Sequence, residues 1–195
     1  MERYARIVRE TKETSIEIEV NLDGTGLYEG SSGIGFFDHM LCLLAKHGIL
    51  DVYLKAQGDL YVDCHHTVED IGIVFGSCIR EAVKDKAGIK RYGTCFVPMD
   101  EAMAAVSIDI SGRFYIVFEG NFTVDKVGGL DTEMVEEFFK AVAQGAGITL
   151  HARVLYGKNN HHMIEALFKA FGKALSEAVA HDDRIKGVMS TKGCL

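Results

Sequence analysis

Residues 65–90 read HHTVEDIGIVFGSCIREAVKDKAGIK, and residues 161–186 read HHMIEALFKAFGKALSEAVAHDDRIK. At a constant offset of 96, ten positions are identical, among them His65/His161, His66/His162, Glu69/Glu165, Gly76/Gly172 and the Glu-Ala-Val runs at 81–83 and 177–179. Chance would leave about one or two matches, so the chain reads as a duplicated half-domain. The flanks repeat the same order of elements. In the first half ARIVRE and SIEIEVNL alternate as strands, and the Asp23-Gly24 turn leads to a short third strand near Gly26–Glu29. A helix follows over FFDHMLCLLAKHG, closed by Gly48, then strand ILDVYLKA and a long helix from His65. The second half gives strands at TCFVP, AAVSIDI and FYIVFE, helix TEMVEEFFKAVAQG, strand ITLHARVLY and a long helix from His161. The expected fold is α+β, with two β-β-β-α-β-α half-domains over residues 1–93 and 94–195 of one compact unit. Each is a small antiparallel sheet with two helices on one face, and the two pack helix layer to helix layer.

Composition narrows the function. About half of the 195 residues are hydrophobic, enough for a sizeable core, and no stretch approaches a membrane-spanning length. A net charge of −7 argues against nucleic acid as the main partner, though a local basic pocket for a small anion is compatible with it. Five cysteines without a C-x-x-C pair fit reduced thiols better than a disulfide framework. The opening MERYARIVRETKETSIEIEV reads as a first strand and not a signal peptide, so cytoplasmic residence is the expectation.

The doubled motif carries the chemistry. On a helix, residues i and i+4 share a face, whereas i and i+1 diverge by about 100°. His65 and Glu69 can therefore grip one ion, and His161 and Glu165 another, leaving His66 and His162 spare. Under pseudo-two-fold packing each spare histidine reaches the other helix's ion. Ion one then takes His161, Glu165 and His66, and ion two takes His65, Glu69 and His162. The earlier helix of each half adds a fourth candidate. Aligning DHML with EEFF sets His39 against Glu137, giving His39 to ion one and Glu137 to ion two. Such mixed imidazole and carboxylate sets are accepted by Mn, Fe, Co or Zn. A single exposed HHxxE is commonly a capping or solvent-facing cluster, but two copies in register on duplicated helices favour metal. His47, His151 and His181 read as structural.

The ordered set FFDHML, DCHHTVEDIGI, RYG, PMDEA, DISGR, TEMVEEFF and YGKNNHHMIEALFKAFGKAL resembles the imidazoleglycerol-phosphate dehydratase family over nearly the whole chain. The resemblance implies a hydro-lyase of histidine biosynthesis that converts imidazole glycerol phosphate to imidazole acetol phosphate and water. It also implies two Mn2+ per active site, stabilising an imidazolate form of the substrate, and a homo-oligomeric shell of twenty-four subunits built from trimers. His39, His66, His161 and Glu165 match the ligands of one ion, and His65, Glu69 and His162 those of the other. Glu137 stands where the family often has a histidine. Glu13 matches a residue that reaches the substrate and is the implied base. Arg91, Arg113, Ser190 and Lys192, with Thr191 between the last two, match the phosphate contacts. By repeat offset Glu101 is the partner of Glu13. Competing readings are a two-metal phosphate-ester hydrolase, which would draw on more Asp ligands and a bridging carboxylate, and a metal-storage cage, which has no need of Arg91, Arg113 and Lys192.

Overall fold

The computed structural model describes residues 3–195. The first half comprises β1 (Tyr4–Glu10), β2 (Thr14–Asn21), β3 (Tyr28–Ser31), α1 (Gly35–Gly48), β4 (Asp51–Gly58) and α2 (His65–Val83). The second comprises β5 (Tyr92–Met99), β6 (Ala102–Asp109), β7 (Tyr115–Glu119), β8 (Lys126–Val127), β9 (Leu130–Asp131), α3 (Glu133–Ala146), β10 (Thr149–Tyr156) and α4 (Asn160–Val179). Strand orders are β1-β2-β4-β3 and β5-β6-β10-β7, the same permutation twice. The expected element order is present in both halves. The β8–β9 hairpin is an addition to the second half that alternation did not announce. The sheets are also mixed rather than antiparallel, because β3 pairs parallel with β4 and β7 with β10. The reason is topological: a strand–helix–strand connection through α1 or α3 returns the chain in its original direction.

Period-two burial sets each sheet's inner face. Along β2, Ile16, Ile18 and Val20 are buried while Glu17 and Glu19 face outward. α1 and α2 cover the first sheet and α3 and α4 the second, and the helix layers meet as α2 on α3 and α1 on α4. Phe37, Phe138, Phe139, Phe168 and Phe171 fill the centre of this interface, with Phe138 stacked on Phe168 at 5.3 Å between centroids.

The crossings are set by repeated glycines. A Cβ on Gly76 would lie 2.3 Å from the Val142 carbonyl oxygen and 2.8 Å from Ala146 N. One on Gly172 would lie 2.4 Å from the Leu44 carbonyl oxygen and 3.0 Å from Gly48 N. Leu44 and Gly48 stand in α1 where Val142 and Ala146 stand in α3, so the two crossings are copies of each other about a pseudo-two-fold axis. Contacts advance in the same direction along both partners, Gly72 against Ala141 and then Gly76 against Ala146, so each pair is parallel. Gly48, expected to close α1, is its last helical residue, and Ile49 takes the left-handed cap at φ 55°. Gly48 is needed instead for closeness, since a Cβ there would lie 3.0 Å from the Gly172 carbonyl oxygen. Among the described residues no helix is long and apolar enough to cross a membrane.

Adding a methyl group at either crossing forces backbone apart. Gly76→Ala and Gly172→Ala are each expected to lower stability by about 1–3 kcal/mol or more, read as urea midpoints of the metal-free protein. Gly35→Ala, whose Cβ meets nothing within 4 Å, serves as the control and holds its midpoint. Unchanged midpoints for both crossing variants would refute the packing argument.

Candidate metal centre and anion cleft

Parallel packing brings helix N-termini together with their histidines. α4 is capped by Asn159, whose side-chain oxygen accepts from His161 N at 2.9 Å. One turn on, Glu165 Oε2 lies 3.1 Å from His161 Nε2. α1 supplies His39, whose Nε2 is 3.9 Å from the same oxygen. One ligand atom each from His39, His161 and Glu165 falls within 4.8 Å of the others, the one such group among the described residues. Glu165 is only 7 % exposed. Burial opposes its ionisation, but Lys169, with Nζ 2.5 Å from Oε1, and His161 outweigh that and hold the carboxyl below its usual range. Two imidazoles and an ionised carboxylate at these separations fit a divalent transition metal.

The repeat-related set is laid out alike but is not closed. His65 and Glu69 start α2, and Glu137 lies on α3, the helix packed against it. Glu137 is drawn to Lys140, with Nζ 3.1 Å from Oε2, and Lys140 also feels Glu69. Lysines thus sit on carboxylates of both sets, Lys169 on Glu165 and Lys140 on Glu137.

The expectation that His66 joins His161 and Glu165, and that His162 joins His65 and Glu69, is not met within one chain. α2 packs on α3 and α4 on α1, so the spare rings turn outward to the β1–β2 and β5–β6 turns. His66 Nδ1 lies 3.0 Å from Asp59 Oδ2 and 3.8 Å from Glu13 Oε2. His162 Nδ1 lies 2.7 Å from Glu101 Oε2, with Asp100 Oδ2 3.8 Å from Nε2. Donating to Asp59 raises the pKa of His66, and the hydrogen bond from His162 lowers that of Glu101 to about 2. Asp59, Lys140 and Lys169 escaped sequence reasoning, because none stands at a helical or repeat spacing from the histidine motif in both halves.

The basic residues do assemble. Arg91, Arg113, Ser190, Thr191 and Lys192 line one cleft of about 430 Å³, beside Tyr92. The Arg91 fork is already engaged: Nε and Nη2 donate to the two oxygens of Asp109 at 2.7 and 3.1 Å, and Nη1 donates to the Met189 carbonyl at 2.7 Å. Arg91 therefore anchors the chain just before Ser190. The guanidinium of Arg113 and the ammonium of Lys192 make no ion pair among the described residues, which leaves them for an anion. This cleft lies at the far end of α4 from the histidines, since Arg91 N donates to the Ala178 carbonyl and Lys90 N to that of Ala180. At 1.5 Å per helical residue, His161 and Ala178 are roughly 25 Å apart.

Comparison with known proteins gives the family. The family model for imidazoleglycerol-phosphate dehydratase matches residues 32–175. A curated imidazoleglycerol-phosphate dehydratase of Clostridium botulinum (strain Kyoto / Type A2) is 67 % identical over 194 residues, covering 100 % of this chain and 99 % of that protein. The Acetivibrio thermocellus enzyme is 57 % identical over the full length of both. The crystal structure of the Staphylococcus aureus enzyme superposes with a TM-score of 0.83 at 42 % identity, covering 92 % of this chain and 99 % of that one. That of Pyrococcus furiosus, in complex with (S)-C348, gives 0.83 at 36 % identity, covering 97 % and 100 %. With the histidine pairs, the clustered basic residues and this likeness along its whole length, the chain belongs to the imidazoleglycerol-phosphate dehydratase family, the dehydratases of histidine biosynthesis.

Proposed function

We propose that the dehydration runs at sites holding two Mn2+ each, completed between copies of this chain in a large homo-oligomer, the twenty-four-subunit shell that the resemblance implies. The observation that carries the metal reading is the His39–His161–Glu165 trio. The separation along α4 carries the assembly reading. Roughly 25 Å is far more than a ring, three carbons and a phosphate can span, so the cleft of one copy serves the metal set of another. The spare histidines fit the same scheme, with His66 of a second copy completing His39, His161 and Glu165, and His162 completing His65, Glu69 and Glu137. Each spare ring is held at Nδ1 by a carboxylate, which leaves Nε2 for an ion, the usual arrangement of ligating histidines. A cytoplasmic location is part of this proposal.

Bound Mn2+ would supply Lewis acidity to the substrate's ring nitrogens, favouring the imidazolate form that helps expel the neighbouring hydroxyl. Glu13, more than half exposed at the β1–β2 turn, is the base. Its carboxylate takes the proton from the carbon next to the one that loses hydroxide. Proton and hydroxide leave as water, and the resulting enol tautomerises to the ketone. Arg113, Lys192, Ser190 and Thr191 hold the phosphate, fixing the reacting carbons relative to Glu13. Arg91 acts there by tethering Met189.

Glu13→Gln is expected to keep Mn2+ and substrate-analogue binding while turnover falls by about 10²–10⁴-fold, measured as ketone formation. Near-normal turnover would remove Glu13 from the chemistry. His161→Ala, stripped with chelator and reloaded, is expected to retain fewer than two Mn per subunit by elemental analysis. Two retained ions would overturn the ligand scheme.

A further inference from the structure

The two halves treat equivalent carboxylates differently. Glu13 and Glu101 occupy the same place in the repeat, each on the turn between the first two strands of its half and each beside a spare histidine. Glu101 is fully committed: Oε2 accepts from His162 Nδ1 at 2.7 Å, and Oε1 accepts from the backbone N–H of Lys158 and Asn159 at 3.1 and 2.7 Å. Glu13 stands off at 3.8 Å from His66 Nδ1, because Asp59 Oδ2 holds that nitrogen at 3.0 Å. Asp59 follows Gly58, whose Cβ would meet Thr67. Past a bulge in β10, Gly157 takes the same place against Met163, the repeat partner of Thr67, so the residue corresponding to Asp59 is Lys158. Lys158 brings no carboxylate, and its backbone N–H donates to Glu101 Oε1 at 3.1 Å.

We infer that Asp59 and Glu101 are positioning residues, each fixing a ligating histidine with Nε2 outward, and that Asp59 thereby frees Glu13 to act as the base. In the second half Lys158 stands in the place of Asp59 and brings no carboxylate, so the repeat partner of Glu13 takes the orienting task and is lost to chemistry. One carboxylate position of the ancestral half-domain has divided into a base and a holder. An ionised carboxylate can only accept, so each imidazole bonded to one carries its proton on Nδ1. Removing such a partner lowers metal affinity about 10–100-fold in comparable sites.

This inference rests on the di-metal reading proposed above, and the experiment separates the two. Chelator-stripped full-length protein is titrated with Mn2+, with free Mn2+ followed by electron paramagnetic resonance. Glu101→Gln keeps a carbonyl for the Lys158 and Asn159 N–H groups but offers His162 no acceptor. It is expected to bind one of its two Mn2+ about 10–100-fold more weakly, with the thermal midpoint of the metal-free protein unchanged. Asp59→Asn is expected to weaken one Mn2+ by a similar factor. In Asp59→Ala, Glu13 is expected to move onto His66 Nδ1, seen in a crystal structure, and kcat at saturating Mn2+ falls more than in Glu101→Gln. Two Mn2+ bound by wild type and by both amide variants with equal affinity would overturn the positioning roles and leave the di-metal reading intact. Wild-type protein that binds no Mn2+ would overturn both. Glu13 unmoved in Asp59→Ala, with kcat retained, would overturn the freeing of Glu13.

Discussion

At Gly76 and Gly172 a missing side chain lets one helix rest on the bare backbone of another, on Val142 in one case and Leu44 in the other. Both glycines come from the same position of the duplicated unit, so the same close approach is made twice. The approach is parallel in both cases, which carries the first turns of the partner helices to the same end. His39 on α1 meets His161 and Glu165 on α4 for that reason. A wider or antiparallel crossing would leave these donors on separate surfaces. Each half alone would also expose an apolar helix layer, so fold and metal set depend on the same contact.

Duplication supplies a symmetric frame, and the chemistry uses its departures from symmetry. Glu137 stands opposite His39 in the repeat and is held by Lys140, whereas the trio on α4 and α1 is already within ligand distance. Asp59 has its counterpart in Lys158, which offers no carboxylate and donates its backbone N–H to Glu101. The β8–β9 hairpin appears once and lies among the helix starts, where Asp131 accepts from Cys64 Sγ at 3.1 Å and Gly128 packs close to Phe36, the ring beside His161. Cys64, directly before the first histidine pair, thus has a carboxylate partner of its own.

Much of this was legible in the residues. The offset of 96, the i, i+4 pairs and the period-two strands led to the element order and to the His39–His161–Glu165 group. The parallel pairing of β3 with β4 was not, because alternation reports which face is buried and not which way a neighbour runs. Nor was the turning away of His66 and His162, since helix phase fixes a direction on one helix but not which helix lies opposite. Arg91 shows the same limit. Its type and its Gly-flanked turn suited an anion, yet Asp109, eighteen positions on across the β5–β6 register, takes its fork. The cleft itself gathers residues from three separate stretches, which only the fold brings together.

The central claim is that metal set and anion cleft from different copies form one site, because α4 separates them within a copy. Intersubunit complementation tests it most directly. Glu165→Gln disables the metal set and Arg113→Ala the cleft, and each homo-oligomer is expected to be nearly inactive. Subunits carrying the two changes, co-expressed under different tags and purified as mixed particles, are expected to regain activity through sites that pair an intact set with an intact cleft. Mixed particles no more active than the sum of the two parents would contradict the account.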